Sequence, residues 1–136
     1  MKTVFLLSMA MISATGALAQ NAPAPGMKTK VRPQPEAAVR APFNRMLNAV
    51  EDDKFSAFVA PLDRTMRAAM TKNAFEDVVA QLAPRLKKGH STVYLGQLRQ
   101  GGFTVHLWKI KFKDGGDDTL AELSWKNRKV GGFLLR

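Results

Sequence analysis

The stretch Leu95-Gly-Gln-Leu-Arg-Gln-Gly-Gly-Phe-Thr-Val-His-Leu-Trp-Lys-Ile-Lys-Phe-Lys-Asp-Gly-Gly-Asp-Asp-Thr-Leu-Ala-Glu-Leu-Ser-Trp-Lys-Asn-Arg-Lys-Val130 decides the fold. Apolar and polar residues alternate along it, so successive side chains point to opposite faces of a sheet. Three turn signals divide it. Gly101-Gly102 is a two-residue hairpin connection, which sets Gln100 opposite Phe103, Gln97 opposite His106 and Leu95 opposite Trp108. Asp114-Gly-Gly-Asp117 makes the next turn and sets Lys113 opposite Asp118, Lys109 opposite Glu122 and His106 opposite Trp125. Asn127-Arg128 makes the third and returns a strand over Val130–Leu135. One face then collects Val93, Leu95, Trp108, Ile110, Phe112, Ala121, Leu123 and Trp125, a continuous surface for helices to cover. The opposite face carries Tyr94, Lys109, Lys111, Lys113, Glu122 and Lys126.

Upstream, from Glu36, the period changes to that of helices. Phe43, Met46, Leu47 and Val50 form one apolar stripe. Phe55, Phe58, Val59, Leu62, Met66 and Met70 continue the spacing beyond Glu51-Asp52-Asp53, which can charge-stabilise a new helix start. Pro61 should kink or divide this second stretch. Thr71 is the expected N-cap of a helix carrying Phe75, Val78, Val79, Leu82 and Leu86, with Pro84 and Gly89 ending it. Methionines 46, 66 and 70 fall at helical spacing and read as core fillers rather than soft-metal ligands. Helices followed by a four-stranded antiparallel meander predict an α+β domain over residues 36–136, the helices packed on one face of the sheet.

The first 19 residues read as a secretory signal peptide. Lys2 supplies the positive start, Val4–Ile12 the apolar run, and Ala17-Leu18-Ala19 the small-x-small cleavage site. The run is too short to span a bilayer, so the mature chain has no expected transmembrane segment. The expected location is the periplasm or the medium of a bacterial cell. Residues 20–35, rich in proline with Lys28, Lys30 and Arg32, read as a semi-rigid solvated linker. The chain has no cysteine, so an exported domain must hold itself by its apolar core. A net charge of +10 favours anionic surfaces such as an envelope.

Little in the sequence carries chemistry. No nucleophile elbow, zinc-protease motif or phosphate loop occurs, and no catalytic residue, metal ligand or cofactor is assigned. Asp114-Gly-Gly-Asp-Asp118 lacks the alternating ligands of a calcium loop and suits a hairpin turn. Nucleic acid is disfavoured, because the lysine face has no interleaved aromatics for base stacking beyond Tyr94 and Phe103. The one candidate ligand site gathers His106, Gln97 and Trp125 on the apolar face, with Asp63 beside the helical stripe as the nearest carboxylate. A buried histidine bonded to a neighbour is the plainer reading of His106.

The segment Leu98–Leu120, with Lys129-Val-Gly-Gly-Phe-Leu134 after it, resembles small exported bacterial domains of unknown function similar to the cone-shaped nuclear transport factor two-like superfamily. The resemblance implies helices held by a bent sheet and leaves activity open, because that cone hosts enzymes and binding modules alike. Enzymes of the superfamily place Asp, Tyr or His inside the cone, whereas Tyr94 is expected on the other face here. The expected function is therefore a non-enzymatic domain binding a small apolar ligand or a protein partner between helices and sheet. A basic envelope-surface adaptor is the alternative, and an isomerase- or hydrolase-like enzyme using His106 and Asp63 the weaker one.

Overall fold

A computed structural model describes residues 32–136. Residues 1–19, expected to be a signal peptide, and most of the expected linker over residues 20–35 lie outside the described residues. Within Pro33–Arg136, which form one compact unit, four helices precede four strands: α1 (Ala37–Glu51), α2 (Phe55–Val59), α3 (Arg64–Ala69), α4 (Lys72–Lys87), β1 (His90–Gln100), β2 (Phe103–Phe112), β3 (Thr119–Lys126) and β4 (Lys129–Leu135). The strands pair antiparallel in the order β1-β2-β3-β4. The chain is an α+β domain with its helices on one face of a meander. No helix among the described residues is long and apolar enough to cross a membrane.

The helical periodicity does the work expected of it. Val39, Phe43, Met46, Leu47 and Val50 are buried along one side of α1, and Phe75, Leu82 and Leu86 along one side of α4. Phe43 stacks flat on Trp108 with ring centroids 4.0 Å apart, joining α1 to β2. Phe58 packs against both Phe75 and Phe133, joining α2 to α4 and β4. Pro61 lies in the break between α2 and α3, where its neighbours serve the sheet. Asp63 N–H donates to the Val130 carbonyl at 2.8 Å, and Val130 N–H donates to that of Pro61 at 2.9 Å. The break thus covers part of the β4 edge. Thr71 caps α4 by accepting from Ala74 N–H.

Three details of the helices differ from expectation. Helix α4 runs through Pro84 to Lys87, so Pro84 takes no part in ending it, whereas Gly89, at φ 108°, follows the C-cap Lys88 as expected. Glu51-Asp52-Asp53 caps nothing: the N-cap of α2 is Lys54, and Asp53 turns the chain at φ 53°. The carboxylate that does cap is Asp63, at the start of α3.

The sheet departs from the expected registers at two places. The β1–β2 hairpin pairs Gln100 with Phe103 and Gln97 with His106, but beyond Gly96 the ladder skips a residue and sets Tyr94 opposite Trp108. Leu95 is the extra residue of a β-bulge, and Gly96, at φ 140°, supplies the backbone angle. Because side chains alternate, one inserted residue exchanges faces for everything before it. Tyr94 therefore lies on the helix-covered face, whereas Val93 turns away from it and Leu95 is exposed. Between β2 and β3 the ladder is offset by two residues: His106 faces Leu123, and Trp125 faces Thr104. An even offset preserves the faces, so Ala121, Leu123 and Trp125 stay with the core side.

That offset comes from the loop. Strand pairing stops at Ile110 and Thr119, and the Asp114–Asp118 turn is held open by Arg85 of α4. The Arg85 guanidinium donates to the Asp114 carboxylate at 2.7 Å and to the Asp117 carbonyl at 2.8 Å, while stacking on Phe112. Arg85, with a further hydrogen bond from Gly116 N–H, holds the Asp114 carboxyl at about 2. These aspartates are engaged in a clasp between helix and sheet.

The face away from the helices is less uniformly cationic than its lysines suggest. Register places Val93, Leu98, Val105, Leu107, Leu120 and Leu134 there among Lys109, Lys111 and Glu122.

Candidate functional site

Helix α1 lies across the sheet with a groove along each flank, and the four candidate ligand residues are divided between these places and elsewhere. On one flank, Tyr94 and Trp108 meet Arg40 and Asn44 of α1, with Gln34, Pro35 and Thr92, around a cavity of about 220 Å³. Behind it His106 is 2% exposed. Its Nδ1 lies 2.9 Å from the Tyr94 hydroxyl. Burial lowers the His106 pKa below its ordinary value, against a smaller opposing pull from the Glu36 carboxylate. Burial likewise raises that of Tyr94, and Glu36 adds to the rise. Both rings are thus neutral near pH 7, partnered with each other, and suited to holding the sheet together. Gln97 stands opposite His106 in register but is exposed, lining a shallow surface groove with Pro33, Glu36 and Gly96.

On the other flank, Ala38, Ala41 and Pro42 of α1 face Pro61 and the half-buried indole of Trp125 across a groove of about 240 Å³. Two arginines complete its lining: Arg45 of α1 and Arg128 at the tip of the β3–β4 hairpin. The residues at 38, 41 and 45 follow helical spacing, so small side chains open the space and an arginine closes its end. Among the described residues, no aspartate or glutamate lines this groove. Nor does either arginine take part there in an ion pair or a side-chain hydrogen bond, in contrast to Arg85 and Arg136.

The backbone adds a further mark. Asn127 and Arg128 both have positive φ, 51° and 60°, as the second- and third-position residues of a tight hairpin turn of the primed type. Asparagine tolerates that conformation and glycine is favoured after it. An arginine there costs about 1 kcal/mol relative to glycine, so its side chain is present in spite of the turn.

Asp63 belongs to neither groove. Its carboxylate accepts from Met66 N–H at 2.7 Å as the cap of α3. It also lies beside Gly131, where a Cβ would collide with the Phe103 ring. Of His106, Gln97, Trp125 and Asp63, then, Trp125 alone opens onto an apolar groove. Strand alternation and helical stripes do not point to Arg45 or Arg128, which complete that groove. The available signal for Arg128 is the Asn-Arg pair standing where a hairpin favours Asn-Gly. No protein-family model, curated protein or solved structure matches this chain.

Proposed function

We propose that this chain is an exported, non-enzymatic domain that binds a small apolar ligand, or an apolar side chain of a protein partner, between α1 and the β3–β4 hairpin. The observation that carries this reading is the Trp125 indole, half-buried on the core side of the sheet and forming one wall of a groove whose remaining apolar lining is alanine and proline. An open apolar wall with a few charged groups at its ends is the usual make-up of a ligand site, and about 240 Å³ suits something smaller than a drug-sized molecule. Helices held on one face of an open meander also suit the cone-shaped superfamily suggested by the sequence. Asp63 is engaged as the cap of α3, and the Tyr94–His106 pair stands on the other flank of α1, so the binding reading draws on neither.

The test uses the two tryptophans, one at each flank. Octanol or octanoate should shift Trp125 emission saturably in the wild type, and the response should vanish in Trp125→Phe, which retains Trp108. A folded wild type that responds saturably to neither probe would remove the groove reading. The basic-surface adaptor would then lead, on the strength of the net charge of +10 and exposed Lys111, Lys113 and Arg99.

A further inference from the structure

We infer that the Trp125 groove selects an amphiphilic oxyanion, a carboxylate or phosphate head on a short apolar tail, gripped by Arg45 and Arg128. The inference rests on the groove reading above and specifies its ligand.

The groove has two chemistries at different places. Ala38, Ala41, Pro42 and Pro61 with the Trp125 ring make an apolar trough, which accepts a tail. Arg45 and Arg128 bring two positive charges to the same space from different elements, and no carboxylate among the described residues lines it. The protein has carboxylates to offer arginines elsewhere: Asp114 engages Arg85, and Glu122 engages Arg136. Arg45 and Arg128 have no such partner among the described residues, so their donors are directed at solvent or at a ligand. A guanidinium presents a planar fork of N–H groups that matches the two oxygens of a carboxylate or phosphate. A cationic ligand would add a further positive charge to a groove lined by two arginines.

Arg128 is the stronger of the two indications. The turn that carries it favours glycine, and Arg128 occupies it at φ 60°. Residues held in sparsely populated backbone conformations cluster where a ligand is gripped. The same fact gives a test that separates ligand binding from a structural role. Arg128→Gly relieves the turn, so it should raise the melting temperature while removing half of the grip; a structural arginine would do the reverse.

The experiment titrates the folded protein with octanoate, octyl phosphate, octanol and octylamine, read by Trp125 emission and by calorimetry. Octanoate and octyl phosphate should bind about tenfold or more tightly than octanol, as charge-assisted hydrogen bonds require, and octylamine most weakly. The preference should weaken with added salt. It should fall in Arg128→Gly and in Arg45→Gln, and disappear in the double variant, while octanol affinity holds. Whichever anion binds more tightly identifies the head group. Equal binding of all four probes would overturn the inference and leave the groove standing. An anion preference that survives in the double variant would also overturn it, since the head would then sit elsewhere. No binding of any probe would overturn both readings together.

Discussion

The two flanks of α1 use similar residues to opposite ends. On one, the Tyr94, His106 and Trp108 rings lie within 6.0 Å of each other, centroid to centroid, and the tyrosine hydroxyl is hydrogen-bonded to His106 Nδ1. On the other, the indole of Trp125 stays half-open, and two arginines stand beside it without protein partners among the described residues. A polar group inside a fold has to find its partner within the chain, whereas one at an open rim can keep its hydrogen-bonding capacity for something outside. The proposed ligand site therefore lies on the second flank, although each flank has a groove. Aromatic content alone does not tell them apart.

The largest expected effect tests the closed flank. Trp108 is 3% exposed and stacks on Phe43 with the rings 4° from parallel, so it joins helix and sheet. Trp108→Ala should lower stability by roughly 3–5 kcal/mol, read as a drop in the urea midpoint with an unchanged slope. A loss below about 1 kcal/mol would show that this flank is as loose as the other, and the distinction would collapse.

Sequence periodicity located most of this architecture. The helical stripes through Phe43 and Phe75, the break at Pro61, the Thr71 cap and both short hairpin turns follow from spacing and turn chemistry, and each is where those rules put it. The expected registers differ from the observed ones because strand phase is all-or-nothing. A single bulge at Leu95 moves Tyr94 onto the face of His106, which a strictly alternating pattern denies it. The mark of that bulge, an isolated Gly96 within a strand, is present in the sequence. The offset at Trp125 is less accessible. It depends on Arg85 reaching across from α4 to hold the Asp114 loop open, a contact between residues far apart in the chain that local patterning does not contain. Bringing Arg45 and Arg128 to one groove likewise requires the packed arrangement of helix and hairpin.

A smaller effect distinguishes a structural histidine from a titrating ligand group. The folded-state pKa of His106 lies below its ordinary 6.5 because burial disfavours the imidazolium. The unfolded chain therefore takes up the proton first. The stability tied to the neutral ring is complete above about pH 6.5 and declines as pH falls through 6.5 toward the lower folded value. His106→Leu keeps an apolar shape and leaves the Tyr94 hydroxyl on a groove where water can meet it. It should cost about 1–2 kcal/mol at pH 7.5, and the gap to wild type should narrow by pH 5.5. The Asp114 clasp does not confuse this window, because its contribution is lost only as pH falls from 3.8 toward about 2. Denaturant melts at the two pH values give the slopes directly. Parallel slopes for wild type and variant would mean that His106 does not titrate differently on folding.

The smallest expected effect is the most pointed for the comparison. Arg45 is exposed on α1 and has no protein partner among the described residues. Removing its charge should then leave nothing unsatisfied in the fold. Glutamine matches arginine in helix propensity and keeps part of the stem, so Arg45→Gln should change stability by no more than about 0.5 kcal/mol. His106→Leu and Arg45→Gln each delete one polar head group beside α1. If the closed flank is structural and the open one is for recognition, the first should lower stability and the second should lower only the affinity for an anionic probe. A thermal or urea melt in which Arg45→Gln loses as much as His106→Leu would place Arg45 within the structural network, and the open flank would lose its claim to be a binding surface.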